Sequence, residues 1–363
     1  MKRCAVLFLF VSAGWARAPD GTLDLIITPN NGVPVIACAG DSFEAVLREK
    51  CDLRLVEGNR AYGLSTEWRE LPGSVMAARC TIPLDAPSGV YSLEAIADRT
   101  DVNTRSVYVV DSFPDAYTVV HITDTHVGSN RHPRPSEAIF GELLEAVNAR
   151  RTLIEEAWTH TEGDESEEGV RAKDEDRMPP LVFAVITGDL TEDGEQEQFR
   201  AFVELLDRCA LPTFVCPGNH DRRGLNYENT FGPLTYLFRF GEDGYLSFDT
   251  KDYIIADSAG PQDGLLEIYR RAIMPARWSI GLTHRYDPMM GMRCQLILFV
   301  DYPLDCLLYG HVHRENRPEE RTVPWGTTPI IITPAAIDGA FRLVHVYANR
   351  IAPGPVVYAV SVE

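Results

Sequence analysis

From residue 117 onward the chain repeats one texture, an apolar run followed by a segment with helical periodicity. "YTVVHIT" precedes "PSEAIFGELLEAVNARRTLIEEAW", "LVFAVIT" precedes "EQEQFRAFVELLDRC", and "LPTFVC" follows. In the first helical segment Ser136 can cap, and Phe140, Leu143, Leu144, Val147 and Ile154 fall on one face. In the second, Phe199, Phe202, Val203 and Leu206 form the apolar stripe. Strand–helix–strand alternation predicts parallel strands with helices packed on the sheet faces. "WSIGLT", "DCLLY", "PIIIT", "FRLVHVY" and "PVVYAVSV" make the rest strand-rich. The stretch "TEGDESEEGVRAKDEDRMPP" is mostly charge and reads as a solvated insertion without chemistry.

Leu23 to Val110 has a different pattern. "LDLIIT", "FEAVL", "DLRLV", "VMAARCTI", "VYSLEAIA" and "TRSVYVV" are short extended runs separated by "PNNG", "AGD", "EGN", "LPG" and "DAPSG". Such spacing predicts a small β-sandwich of immunoglobulin or fibronectin type. It holds no histidine and no polar cluster with ligand spacing, so it reads as a packing, positioning or binding module. "DSFPDAY", with Pro114 in its middle, is the expected linker. At 363 residues the chain is long enough for two domains. The expected division is a leader over 1–18, an accessory β-sandwich over 19–112 and an α/β domain over 113–363.

The leader has Lys2 and Arg3, then an apolar run from Ala5 to Val11, then small residues ending in Ala16 and Ala18. That layout predicts a secretory signal and an exported, periplasmic or secreted protein with no membrane span after cleavage; an uncleaved N-terminal anchor is the alternative. If Cys4 leaves with it, seven of the eight cysteines remain, an odd set that forms no disulfide scaffold. A net charge of −19 argues against nucleic acid as the main partner. It leaves room for an anionic small molecule, because a metal ion inverts the local field.

Each strand-like run of the α/β part ends on residues that carry chemistry. "HIT" leads to Asp124 and His126, "VIT" to Gly188 and Asp189, and "FVC" to Gly218, Asn219, His220 and Asp221. "GLT" leads to His284, and "LLY" to Gly310, His311, Val312 and His313. The carboxyl edge of an open α/β sheet is where ligands bind. In D-x-H and H-x-H, residues two apart on an extended segment point the same way, and the glycines allow close backbone approach. Carboxylates, imidazoles and an amide suit first-row metals such as zinc, manganese or iron, and there are more donors than one ion needs. His121, His132, His160 and His345 read as ordinary satisfied histidines.

"DTH", "GD", "GNHD", a lone "TH" and "GHVH", in that order, resemble the calcineurin-like metallophosphoesterases over about residues 117 to 350. The resemblance implies a four-layer αββα sandwich, here preceded by the small all-β sandwich. It implies two divalent metal ions, the first held by Asp124, His126 and His313 and the second by Asn219, His284 and His311, with Asp189 bridging. It implies hydrolysis of phosphate mono- or diesters by a metal-bridging hydroxide, with His220 as proton donor oriented by Asp221. Asn219 and Arg222, less directly Arg285, are the expected contacts to a phosphate-ester substrate. A β-sandwich ahead of this fold is similar to purple acid phosphatases, but their metal-binding tyrosine is replaced by Glu192. The motifs are closer to the bacterial cyclic-nucleotide phosphodiesterase branch. The competing reading is a surface binding or adhesion protein that works through the sandwich, with hydrolysis secondary or lost.

Overall fold

The computed structural model describes residues 21–159, 178–249, 262–286, 292–324 and 326–363. The expected leader, His160 and most of the charged insertion lie outside the described residues.

The first ninety described residues form nine strands: β1 (Ile26–Thr28), β2 (Val35–Cys38), β3 (Ser42–Leu47), β4 (Asp52–Glu57), β5 (Arg60–Gly63), β6 (Ser65–Leu71), β7 (Val75–Thr81), β8 (Gly89–Ile96) and β9 (Thr100–Val110). They make two sheets, ordered β1-β3-β7-β6 and β2-β9-β8-β4-β5. Alternation turns Phe43, Ala45 and Leu47 of β3 and Tyr91, Leu93 and Ala95 of β8 into one shared core. Each of the six apolar runs contains one of these strands. Strands β2, β5 and β6 were not legible. "RAYG" and "STEWREL" are largely exposed along their length, so they carry little apolar pattern.

The second part continues with β10 (Tyr117–Ile122), α1 (Ser136–Thr159), β11 (Leu181–Thr187), α2 (Gln196–Leu206), β12 (Thr213–Cys216) and α3 (Asn226–Phe231). Next come β13 (Tyr236–Phe240), β14 (Asp243–Ser247), α4 (Gln262–Ile273), β15 (Ser279–Leu282) and α5 (Met292–Leu296), which runs into a π turn. Then follow β16 (Cys306–Tyr309), β17 (Ile330–Ile332), a 3-10 turn at Ala336–Asp338, β18 (Ala340–Val346) and β19 (Ile351–Tyr358). Two five-stranded sheets result, β12-β11-β10-β18-β19 and β13-β14-β15-β16-β17. Strands β10, β11 and β12 run parallel in the first, β14 to β17 in the second. β19 starts four residues earlier than "PVVYAVSV" suggests and contains Pro353 and Pro355, which an edge strand tolerates.

Burial separates four layers. Phe140, Leu144, Phe199 and Phe202 of α1 and α2 pack on Val120, Ile122 and Ile186 of the first sheet. The opposite face, with Val119, Phe183 and Val185, meets Tyr245, Ile280, Leu282 and Leu308 of the second sheet. Leu266 and Ile273 of α4 and Cys294 of α5 cover the outer face of the second sheet through Leu246 and Leu307. This is the four-layer αββα sandwich. One polar bridge joins the sheets: the Tyr117 hydroxyl lies 2.7 Å from both the Asp243 carboxylate and the Tyr245 hydroxyl, and Arg277 closes on Asp243. All seven described cysteines are free, and five are buried as small apolar groups.

The β-sandwich does not hang loose. Val215 of the edge strand β12 donates to the Gly32 carbonyl at 2.8 Å, so the turn between β1 and β2 covers an otherwise open edge. Asn30, fully buried, donates to the carbonyls of Ile27 and Phe231 and accepts from the Val33 amide. Asn30→Ala should therefore destabilise the protein by about 2–3 kcal/mol, because it orphans buried partners. Thermal unfolding with a midpoint equal to that of the wild type would contradict this coupling.

Candidate metal centre

The parallel strands β10, β11, β15 and β16 all end at one edge of the sandwich, and each delivers a side chain within two residues of its last paired position. Asp124 and His126 follow β10, Asp189 follows β11, His284 follows β15, and His311 and His313 follow β16. Five of these six have left-handed backbone: Asp124 (φ 55°), His126 (45°), Asp189 (49°), His311 (65°) and His313 (52°). Such conformations are costly for non-glycine residues and gather at functional sites. The extended geometry expected for D-x-H and H-x-H is thus not what converges them. The chain leaves its strand and coils so that alternate side chains turn inward.

Two glycines permit the crowding. A Cβ on Gly218 would lie 2.1 Å from the Asp189 amide, and one on Gly310 would lie 1.8 Å from Thr123 Oγ1. Each ligand carboxylate is consequently clamped on one side. Asp124 Oδ2 accepts from the His311 amide and Thr123 Oγ1, and Asp189 Oδ1 accepts from the His220 amide. The other oxygens face the centre. Asp124 Oδ1 is 3.1 Å from His313 Nε2, and Asp189 Oδ2 is 3.1 Å from His284 Nε2, with His126 Nε2 3.8 Å from both.

Among the described residues this arrangement contains three sets whose donor atoms lie within 4.8 Å of one another: Asp124, His126 and His313; Asp189, His284 and His311; and His126, Asp189 and His220. Asp189 and His126 each belong to two of them, and their contact at 3.8 Å links the other two sets. Asp124 Oδ1 and His126 Nε2 are buried without a hydrogen-bond partner, which is unusual inside a protein and fits a cation as the missing neighbour. Imidazole and carboxylate donors suit a borderline divalent transition-metal ion.

The electrostatics say the same. Burial alone would raise Asp124 and Asp189, but His284 and the neighbouring imidazoles outweigh it and hold both carboxyls below the usual range. Burial would lower His284, yet Asp124 and Asp189 raise it to about 9. Burial and the His284 charge lower its neighbour His311. Without a cation the site thus balances its carboxylates with ring protons, and a divalent ion competes for the same place.

Asn219, the amide expected among the donors, is an exposed residue of the turn after β12. The amides on either side of it are tied to Asp221 and Asp189. Asp221 does not orient His220. Its buried carboxylate accepts from the amides of Gly218, Leu190 and Thr191, which stitches the β11 and β12 ends together. Burial, then the Asp189 charge, raises it to about 6. His220 is instead oriented by its Nδ1 at 2.5 Å from the Glu192 carbonyl. Arg222 is paired with Asp249 at 2.7 Å, and neither it nor Arg285 lines the cleft.

Glu192, noted in the sequence only as standing in place of a tyrosine, puts its carboxylate 2.9 Å from His126 Nδ1, a charge contact too misaligned for a hydrogen bond. Two residues of the site were not singled out in the sequence. Arg131 and Asp338 flank His313. His121 is a core histidine between Thr187 and Thr333, pushed down to about 3 by burial, while His132 bonds Asp338 and His345 bonds Thr118. Ser136 begins α1, but its hydroxyl accepts the Gly128 and Ser129 amides and so pins the loop after His126. Above the donors lies an open cleft of about 490 Å³, walled by His126, Arg131, Asp189, Glu192, His220 and His313, among others.

A family model for calcineurin-like phosphoesterases matches residues 117–315. A probable cyclic nucleotide phosphodiesterase of Coxiella burnetii is 34% identical over 41% of this chain and 66% of its own length. A 3',5'-cyclic adenosine monophosphate phosphodiesterase of Pseudomonas aeruginosa is 29% identical over 49% of this chain and 69% of its own. The chain thus spans about two thirds of the length of these relatives. A purple acid phosphatase from yellow lupin seeds is similar in structure with a TM-score of 0.49 and 13% identity, over 85% of this chain and 69% of that one. The family match covers more than half of the chain and contains all six residues that converge at the sheet edge: the chain belongs to the calcineurin-like phosphoesterase family.

Proposed function

We propose that this chain is an exported, metal-dependent hydrolase of phosphate mono- or diesters with two divalent transition-metal ions, manganese, iron or zinc. The observation that carries the reading is the pair of donor sets at one edge, linked where Asp189 of one approaches His126 of the other at 3.8 Å. Asp124, His126 and His313 would hold one ion, and His284 and His311 the other, with Asp189 common to both. Bound there, the ions would supply charge neutralisation for phosphoryl oxygens and acidity for a water nucleophile. The likeness to two cyclic nucleotide phosphodiesterases supports a small phosphodiester among the substrates.

The chain's own groups have distinct tasks. The amide and hydroxyl on Asp124 Oδ2 and the amide on Asp189 Oδ1 keep the second oxygen of each carboxylate aimed inward. The Thr187 carbonyl, 2.9 Å from His284 Nδ1, keeps the proton on that nitrogen and leaves Nε2 as the donor. The Glu192 carbonyl does the same for His220, whose ring sits edge-on to His126 with centroids 4.9 Å apart at the cleft wall. With Nδ1–H held there, His220 would act as a doubly protonated ring that gives its second proton, the one on Nε2, to the leaving oxygen and is left as the neutral Nδ1–H imidazole.

Export rests on the basic start and apolar run of residues 1–18. No helix among the described residues is long and apolar enough to cross a membrane. Sequencing the N-terminus of the purified protein tests export, with a start near Asp20 expected and a cytoplasmic chain still beginning at Met1 as the contrary result.

His220→Ala should keep its metal and lose about 10²- to 10⁴-fold in kcat for an alkyl phosphate, the range of a general acid. A nitrophenyl ester leaves with little protonation and should lose less. Equal losses on the two esters would remove His220 as proton donor, and loss of metal would make it a ligand.

A further inference from the structure

Arg131 is the one cationic side chain of arginine or lysine type among the described residues that wall the cleft. It sits on the loop between β10 and α1, five residues beyond His126. That loop is built rather than loose. Ser136 Oγ accepts the Gly128 and Ser129 amides, Ser129 Oγ accepts the Arg131 amide, and His132 Nε2 is 2.8 Å from Asp338 Oδ1. Asp338 is itself fixed, because the 3-10 turn that carries it donates from the Ala336 and Ile337 amides to the carbonyls of Thr123 and Asp124. The backbone on both sides of Arg131 is thus tied to the donor shell while its side chain reaches over the cleft.

Its partner there is unusual. Arg131 Nη1 lies 2.6 Å from His313 Nδ1, whereas Asp338 Oδ2 is 3.9 Å from Arg131 Nη2. A guanidinium only donates, so this contact requires a lone pair on Nδ1 and leaves the ring proton to Nε2, 3.1 Å from Asp124 Oδ1 but not hydrogen-bonded to it. That tautomer is incompatible with ligation. Once His313 gives its Nε2 lone pair to an ion, its proton resides on Nδ1, which can no longer accept from Arg131. Asp338 Oδ2, 3.8 Å from Nδ1, is the acceptor at hand for that proton. Arg131 then keeps only the Asp338 carboxylate, 3.9 Å from Nη2, and its Nη1 loses its acceptor at the cleft wall.

We propose that Arg131 is the substrate-anchoring residue of this centre, taking a non-bridging phosphoryl oxygen of the ester from the His313 side while His220 serves the leaving oxygen from the His126 side. The inference rests on the phosphoesterase reading above. Both imidazoles border His126, whose ring centroid is 5.4 Å from that of His313 and 4.9 Å from that of His220, so anchor and acid wall the same cleft. A planar guanidinium matches a phosphoryl group with paired donors, and a lysine at the same place would offer a point charge without that fork.

The experiment compares metal-loaded wild type, Arg131→Ala, Arg131→Lys and Arg134→Ala, using a nitrophenyl phosphate ester as substrate and inorganic phosphate as competing ligand. Arg134 lies on the same loop but bonds Glu142 and the Ser361 carbonyl, so it controls for loss of loop charge. Arg131→Ala should raise KM and the phosphate inhibition constant together by about 10- to 100-fold, as expected for one charge-assisted hydrogen bond. Metal content should stay at the wild-type value, the lysine variant should recover part of the loss, and Arg134→Ala should match wild type. Unchanged KM and phosphate inhibition in Arg131→Ala would overturn the proposal, as would an equal loss in Arg134→Ala or loss of metal. If wild type itself neither cleaves the ester nor binds phosphate, it is the phosphoesterase reading that falls.

Discussion

The strained backbone at the strand ends is the constraint on which the rest of this structure depends. Asp124, His126, Asp189, His311 and His313 all adopt positive φ, and only two other described non-glycine residues do, Ser74 and Arg105. Each such residue costs on the order of 1 kcal/mol or more, so the surrounding packing must over-determine it. It does so through Gly218, which lets the ends of β12 and β11 touch, through Gly310, which brings the β16 end onto the β10 end across the two sheets, and through Asp221, whose buried carboxylate gathers three amides. The consequence is a set of imidazoles and half-satisfied carboxylates facing one point. A cation at that point returns part of the cost by filling the coordination that the fold leaves open.

The scaffold explains why the strain can be held. β10 and β11 are buried on both faces, with helices on one side and the second sheet on the other, so their ends have little freedom to relax. The Tyr117–Asp243–Tyr245 bridge and Arg277 keep the two sheets in register at the opposite end of β10. The β-sandwich adds to this rigidity from outside by covering the β12 edge, three residues before Asn219. Its role in this structure is first mechanical.

Much of this was legible in the sequence because the signals are local. A run such as "LVFAVIT" declares a strand buried on both faces, and Asp189 directly after Gly188 marks its end. What was illegible depends on partners distant along the chain. Asp221 and His220 are neighbours in sequence, yet the carboxylate serves amides thirty residues away and the imidazole turns to the Glu192 carbonyl. Arg222 answers to Asp249. Arg131 and Asp338 come together with His313 only through folding, from positions no spacing rule connects. β13 and β14 were missed because "YLFRF" and "DGYLS" are five-residue strands whose identity is fixed by pairing with each other and with β15.

The central claim is that one carboxylate, Asp189, joins two donor sets into a single centre. Elemental analysis of the purified protein after loading with manganese, iron or zinc, repeated on Asp189→Asn and His313→Ala, tests it most directly. The account predicts two ions per chain in the wild type, loss of both in Asp189→Asn, and loss of mainly one in His313→Ala. A single ion in the wild type, or two retained in Asp189→Asn, would contradict it.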